Sequence, residues 1–377
     1  MWKYALRYAP LLILALLLIP LRIFMVGSAR QEGKTQQYAV FPPDQVSSSF
    51  SHYSAFYGIA MLPSGDAWAV GGSFSAKPDV SGTARPLLPS SGMILHYASN
   101  TWVAASVAQP LRVPLFSISL DSSQDGWAVG WNGSFVHYNG NEWSIVPGPA
   151  NFNKNLLSVA MLSASDGWAV GYSGSILHYD GKQWTKVPSP TTVDLRSIAM
   201  PSAQEGWAVG DSGTILRYHA GTWSIISPSP TSSTLNSVSM LSTNEGWVVG
   251  RQGTVLHYRD GTWESVHPAA YYRSPSTYQS VDLFDVVMNS IHSGWIAGGQ
   301  HLLTYSAEAW IEQGNVVDSI KGQNRGMMLS GFNIFAIAMS PTGEGWAVGG
   351  LYSNKSDNAG VILHYRSGKW DIALTVA

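Results

Sequence analysis

The apolar positions of this chain fall into short segments of about five residues, with none of the longer stripes of a helix. Leu156-Leu157-Ser158-Val159-Ala160-Met161 is mostly apolar, with small residues interspersed. Ser163-Ala164-Ser165-Asp166 reads as a turn before Gly167-Trp168-Ala169-Val170-Gly171. Tyr172-Ser173-Gly174 turns the chain into Ser175-Ile176-Leu177-His178-Tyr179, and Asp180-Gly181-Lys182 turns it into Gln183-Trp184-Thr185-Lys186-Val187. These are four short strands joined by Gly and Asx turns. The set recurs seven times. Its first Trp is Trp68, Trp127, Trp168, Trp207, Trp247, Trp295 and Trp346, and its second is Trp102, Trp143, Trp184, Trp223, Trp263, Trp310 and Trp370. A period near 40 residues with four strands per copy predicts an all-β, seven-bladed β-propeller of four-stranded antiparallel blades over residues 53–377. The blades are expected at about 56–106, 115–148, 156–189, 195–229, 235–267, 283–313 and 334–377.

With the strands lettered A to D from axis to rim, strand A repeats a small residue: Gly58, Ser117, Ser158, Ser197, Ser237 and Ala336. Small side chains there let blades converge, and the paired Trp rings fill the wider gaps farther out. The first blade opens with strand A near Phe56 and the last ends with strand D near Asp371–Val376. No blade is split between the two chain ends, so ring closure is expected to rest on packing between blades 7 and 1.

Spacing separates the connections into two kinds. From the end of strand A to the first Trp the distance is 7 in every copy, and from the strand C Tyr to the second Trp it is 5. The B–C distances are 29, 11, 11, 11, 11, 10 and 19, and the D–A distances 18, 18, 16, 17, 25 and 29. In an up-and-down blade A–B and C–D turns share one face, and B–C and D–A connections share the other. All insertions therefore fall on one face, around blades 6, 7 and 1, as a one-sided wall of loops. Long loops on a rigid scaffold commonly carry binding.

That face supplies the candidate binding residues. The short B–C turns present Trp131, Tyr172, Asp211 and Arg251. The starts of strand A add Phe116, Arg196, Asn236 and Phe284 nearer the axis. The wall holds Tyr271, Tyr272, Arg273 and Tyr278, with Lys77, Arg85, Asn324, Arg325, Met327 and Met328 in neighbouring loops. Tyr and Arg are enriched in the energetic centres of protein interfaces.

Composition narrows the chemistry. The 38 Gly and 20 Pro suit many turns, and 16 Trp suit sheet-on-sheet packing. A formal net charge of -2 gives no support for a nucleic-acid partner. Without cysteine there is no disulfide, thiolate metal site or cysteine nucleophile. His96, His137, His178, His257 and His364 share one strand C position, with Arg217 and Thr304 in blades 4 and 6. They sit on different blades far from the axis and cannot converge on one metal ion, so a structural role is expected. Asp66, Asp125, Asp166, Glu205, Glu245 and Glu344 precede the first Trp and read as turn formers on the flat face. Asp211, Asp282 and Asp285 are expected near the central opening without forming an acid pair. No catalytic residue, cofactor or metal is assigned.

At the N-terminus Lys3 and Arg7 precede an apolar run from Tyr8 to Val26, broken by Arg22 and followed by the small residues Gly27-Ser28-Ala29. It reads as a signal anchor or signal peptide over residues 1–29, with residues 30–52 as a linker. We expect it to be retained, which places the propeller outside the cytoplasm on a single membrane helix.

Gly206-Trp207-Ala208-Val209-Gly210-Asp211-Ser212-Gly213-Thr214-Ile215-Leu216-Arg217-Tyr218, with its following turn and Trp, resembles the photosystem II assembly and stability factor propellers and the wider sialidase-type Asp-box repeats. Asp260-Gly261-Thr262-Trp263 keeps only the tail of an Asp-box. The resemblance implies a non-catalytic factor that docks on a membrane protein, with Arg196 and Arg251 as candidate docking arginines. The expected partner is a protein, a membrane protein among the candidates. A glycan-binding or sialidase-like glycosidase, with Trp131 and Tyr172 stacking on sugar rings, is the alternative.

Overall fold

The computed structural model describes residues 52–76, 87–266, 281–313, 329–353 and 357–376. Blade 1 is β1 (His52–Met61), β2 (Ala67–Ala76), β3 (Leu87–Ala98) and β4 (Thr101–Ala104). Blade 2 is β5 (Leu115–Ser122), β6 (Asp125–Gly130), β7 (Phe135–Tyr138) and β8 (Trp143–Val146). Blade 3 is β9 (Leu156–Ser163), β10 (Asp166–Gly171), β11 (Ser175–Tyr179) and β12 (Trp184–Val187). Blade 4 is β13 (Leu195–Ala199), β14 (Glu205–Gly210), β15 (Ile215–His219) and β16 (Thr222–Ile225). Blade 5 is β17 (Leu235–Met240), β18 (Gly246–Gly250), β19 (Val255–Arg259) and β20 (Thr262–Ser265). Blade 6 is β21 (Asp285–Ser290), β22 (Ser293–Gly298), β23 (His301–Ser306) and β24 (Ala309–Glu312). Blade 7 is β25 (Leu329–Met339), β26 (Gly345–Ser353), β27 (Asp357–Arg366) and β28 (Lys369–Val376). Within each blade, consecutive strands pair antiparallel. The expected seven-bladed propeller is the fold. The N-terminal apolar run lies outside the described residues, among which no helix is long and apolar enough to cross a membrane.

The two Trp positions explain how blades bind one another. Each strand B Trp meets the strand D Trp of the next blade edge to face. Trp68 packs on Trp143 at 5.5 Å and Trp127 on Trp184 at 5.4 Å. The ring closes with Trp346 of blade 7 on Trp102 of blade 1 at 5.0 Å and 85°. The strand C Tyr of the next blade leans on the same ring, as Tyr218 does on Trp168 at 4.8 Å. Edge-to-face pairs set the positive rim of one ring against the negative face of another.

Each strand C histidine packs on the strand B Trp of its own blade. His178 stacks beside Trp168 in its own blade, and its Nε2 lies 2.8 Å from Asp166 of the A–B turn. His137 with Asp125 and His257 with Glu245 repeat the pattern. In blade 4 Arg217 lies over Trp207 and donates to Glu205. Burial raises the Glu205 pKa, but the hydrogen bonds from Arg217 and His219 outweigh it and leave the carboxyl below its ordinary value. The acids before the first Trp therefore do more than form turns, because in these four blades they fasten the turn to strand C. In blade 6 Ser293 takes the acid's place and Thr304 the histidine's, so both members of the pair are lost together.

At the axis the small residues also hydrogen-bond. The Ser117 hydroxyl accepts the Val159 N–H of the next blade at 3.0 Å. Ser158 accepts Ile198 N–H at 2.9 Å, and Ser197 accepts Val238 N–H at 3.2 Å. Blade 6 carries Asp285 at this register position, opposite Ala297. It is fully buried. Asp285 Oδ1 accepts the Ser237 hydroxyl at 2.8 Å, and Oδ2 accepts Ile337 N–H at 2.8 Å, which joins blades 5, 6 and 7. The sequence reading put Asp285 at the central opening, but it lies inside the core instead. Burial drives its carboxyl well above the usual range, against the lowering effect of its hydrogen bonds to Ile337, Ser237 and Val286.

Blades 7 and 1 depart from the others. β2 and β3 run on past the disc and stay paired as far as Ala76↔Leu87. β25, β26 and β27 extend likewise. β2 outruns β10 by about five residues, or roughly 15 Å. The insertions expected as a wall of loops are in these two blades largely paired strands. Closure also exceeds packing alone, because β1 pairs in parallel with β27 at His52↔Asp357 and Tyr53↔Asn358. The two blades thereby form one continuous sheet.

Two predictions follow from the packing. A double-mutant cycle on Trp207 and Trp263, stacked edge to face at 5.3 Å, should return a coupling of about 0.5–1.5 kcal/mol in denaturant unfolding. Trp207→Ala alone should cost about 3–5 kcal/mol. For Asp285, the fold holds the proton at a pH where the unfolded chain has released it. Its contribution is complete below the unfolded pKa of about 3.9 and declines as pH rises toward the elevated folded value. The melting temperature of Asp285→Asn relative to the parent should move in the variant's favour as pH rises from about 4; a constant gap would refute this.

Candidate functional site

The B–C turns of blades 2 to 5 share one main-chain frame. Asn132, Ser173, Ser212 and Gln252 are left-handed with φ 56°, 57°, 54° and 56°, and each is followed by a left-handed Gly. Two consecutive left-handed residues make the tightest hairpin turn. Trp131, Tyr172, Asp211 and Arg251 stand just before it, so the tip itself is Asn, Ser, Ser or Gln. Their N–H groups donate to Pro114, Asn155, Asp194 and Thr234 carbonyls of their own blades. The tip N–H reaches the next blade: Asn132 donates to Asn155 Oδ1 at 2.8 Å, Ser173 to Asp194 Oδ1 at 2.7 Å and Gln252 to Asp282 Oδ1 at 3.1 Å. Because the main chain is anchored on both sides, the side chain at the first position is free to be Trp, Tyr, Asp or Arg.

A second variable ring lies beneath. In six blades the strand A–strand B register shifts at a β-bulge, which sets one strand A residue out of step: Tyr57, Phe116, Leu157, Arg196, Asn236 and Phe335. Phe284 holds the corresponding place just before β21. Bulges re-aim a side chain, and here the six bulge residues and Phe284 form the floor of the central opening. Tyr57 stacks on Phe335 at 5.8 Å and meets Phe116 edge-on at 5.5 Å, while Phe284 meets Phe335 at 5.7 Å. With Leu157 and Phe74 they form one apolar cluster, against which Trp131 and Tyr172 pack half-buried.

Blades 4 and 5 interrupt this apolar plug. Arg196 is only 7% exposed, and its Nε donates to Asp211 Oδ1 at 2.5 Å. Asn236, 5% exposed, donates from Nδ2 to the Leu283 carbonyl at 2.7 Å. Above them Arg251 Nε faces Asp282 at 3.7 Å. The floor is thus apolar except at blades 4 and 5, while the rim above it is aromatic at blades 2 and 3 and ion-paired over blades 4 to 6.

The structure sorts the candidate residues. Trp131, Tyr172, Asp211 and Arg251 line the opening and are half-buried. Phe116, Arg196, Asn236 and Phe284, expected as looped-face residues nearer the axis, are buried and shape the floor. Tyr271, Tyr272, Arg273 and Tyr278 lie outside the described residues, as do Lys77, Arg85, Asn324, Arg325, Met327 and Met328. Sequence reasoning missed Tyr57, Leu157 and Phe335, although each directly precedes the small axial residue, as Phe116 does. Asp211 and Asp282 each face an arginine and Asp285 is enclosed, so these three carboxylates do not form an acid pair. Among the described residues, no three His, Asp or Glu side chains gather to hold a metal ion.

The fold and this site define a seven-bladed propeller with a constant frame and a varied central opening. Residues 178–270 match the family model described as photosynthesis system II assembly factor YCF48. Solved structures of similar fold include "YCF48 bound to D1 peptide", at TM-score 0.56 and 17% identity over 87% of this chain and 96% of that one. YCF48 from Cyanidioschyzon merolae aligns at TM-score 0.54 and 14% identity, over 84% and 96% of the two chains. The WD40 propeller domain of Doa1 aligns at TM-score 0.54 and 7% identity, over 86% and 95%. No curated protein matches in sequence. The resemblance to photosystem II assembly-factor propellers thus extends from the repeat motif to the whole propeller, and at these identities the structural likeness is one of fold.

The two ion pairs should differ in weight. Asp211→Asn leaves a buried guanidinium short of its counter-charge and should cost about 1–3 kcal/mol in unfolding free energy. Asp282→Asn acts on a longer, more exposed pair and should cost less than about 1 kcal/mol.

Proposed function

We propose that this protein is a non-catalytic, extracytoplasmic, membrane-tethered propeller that acts as an assembly scaffold by binding a segment of another protein across its looped face. The observation that carries the reading is the diversification of the central opening on a constant frame. Four turns of one geometry present Trp131, Tyr172, Asp211 and Arg251, and the long strands of blades 7 and 1 stand beside them. Half-buried aromatics next to arginine–aspartate pairs suit a peptide with both apolar and polar side chains. A propeller of similar fold has been solved with a peptide bound, and part of the chain matches an assembly-factor family model. Asp211 and Asp282 at the opening face arginines and Asp285 is buried, which favours binding over hydrolysis. The membrane tether and the extracytoplasmic location rest on the apolar run from Tyr8 to Val26.

Full-length protein carrying Trp131→Ala with Arg251→Glu should lose crosslinked capture of its partner from native membranes at least about tenfold, the effect of one lost interface hot spot. A flat-face control, Ala164→Arg with Asn141→Arg, should retain capture. Loss in the control and retention in the first variant would overturn the reading. Turnover by the parent on a glycosidase substrate panel, abolished by Asp211→Asn, would favour the glycosidase alternative.

A further inference from the structure

We propose that the looped face is turned toward the bilayer, and that the wall of blades 7 and 1 holds it off the surface, leaving a slot for an extramembrane segment of an integral membrane protein. The proposal rests on the tethered reading above and adds a direction to it. His52, the first residue of β1, is paired with Ser75 near the end of the blade 1 hairpin and with Asp357 near the end of the blade 7 hairpin. The chain that precedes the propeller therefore joins it at the crest of the wall, on the looped side. The flat face lies at the other end of every strand.

Length makes this placement consequential. Between the apolar run and His52 lie about 20–25 residues. As a coil, a connection of that length has a root-mean-square reach of about 25 Å. The face opposite the crest is farther off by the wall and the disc together, roughly 30–35 Å. Bringing the flat face down would stretch the tether beyond that root-mean-square reach, whereas the looped face is met with the tether relaxed.

The standoff and the ion pairs at the opening select the occupant. The wall rises roughly 15 Å, enough for a helix of about 10–12 Å diameter or an extended segment beneath it. Lipid headgroups are recognised by clusters of four to eight unpaired Lys or Arg. Here the two arginines at the opening face Asp211 and Asp282, and the neighbouring positions are Trp131 and Tyr172. The opening suits a protein segment better than an anionic bilayer.

The chain has no cysteine, so single labels can be placed cleanly. Lys154→Cys and Ser232→Cys report the looped face, and Ala164→Cys and Asn141→Cys the flat face; all four positions are exposed. Full-length protein is reconstituted in phosphatidylcholine vesicles carrying a headgroup energy acceptor. Transfer from residues 154 and 232 should exceed that from 164 and 141 by about twofold or more, given faces about 20 Å apart. Equal or reversed transfer in protein that floats with the vesicles overturns the orientation and leaves the tether standing. Protein that fails to float overturns the tether and the orientation with it.

Discussion

The edge-to-face contact between the strand B Trp of one blade and the strand D Trp of the next is the interaction on which the rest of the structure depends. It occurs at all seven junctions, including Trp346 on Trp102 where the chain ends meet. Blades diverge from the axis, so the gap between them widens outward, and two indoles set at right angles fill it where aliphatic chains would leave voids. The arrangement has a cost. Eleven of the fourteen indole nitrogens, Trp143 and Trp207 among them, are buried without an oxygen or nitrogen acceptor. An unmet donor costs about 1–3 kcal/mol, and the facing π cloud only partly compensates. The gain in buried ring area must exceed that cost at every junction, which explains why neither Trp of the pair is replaced in any copy.

Nearer the axis the spacing is too small for rings, and hydrogen bonds take over. A serine hydroxyl there satisfies a main-chain N–H that the strand A of the next blade cannot pair within its own sheet. Blades 1 and 7 carry Gly58 and Ala336 instead and cannot do so. These are the blades whose long strands join in one sheet through β1 and β27. Asp285 spans blades 5 to 7, next to this irregular sector. Where the repeated device is missing, the chain supplies a different link.

Much of this was legible before any coordinates. The paired Trp positions, the invariant 7- and 5-residue spacings and the small axial residue follow from repetition itself, because seven copies act as an internal alignment. What the sequence reading missed depended on register. A β-bulge adds one residue without changing the pattern of residue types, so Arg196 and Phe116 could be placed at the axis without showing that they are buried. The link between Asp166 and His178 crosses strands that are separate in sequence, and its trace was the joint loss at Ser293 and Thr304. The B–C insertions of blades 1 and 7 were read as loops because their Gly, Ser and Pro content obscures an alternation that hairpin pairing imposes. For Tyr271 to Arg273 and Tyr278, the sequence remains the whole argument.

The frame also explains why variation gathers on one face. A–B turns begin with the carboxylate that holds His178 or Arg217 in place, and that residue stacks on the inter-blade Trp, so a change there disturbs a junction. On the looped face no inter-blade Trp pair is at stake. Its turns are held by main-chain N–H groups donating to Pro114, Asn155, Asp194 and Thr234 carbonyls, and main-chain bonds are indifferent to side-chain identity. Bulge residues likewise stand outside the strand A–strand B register, which lets one position be Tyr57, Leu157 or Arg196 with no change in blade geometry. The fold therefore separates the residues that hold it together from those that can be altered. The altered ones meet around a single opening, its rim aromatic at blades 2 and 3 and ion-paired over blades 4 to 6, under a wall built from the two blades that close the ring.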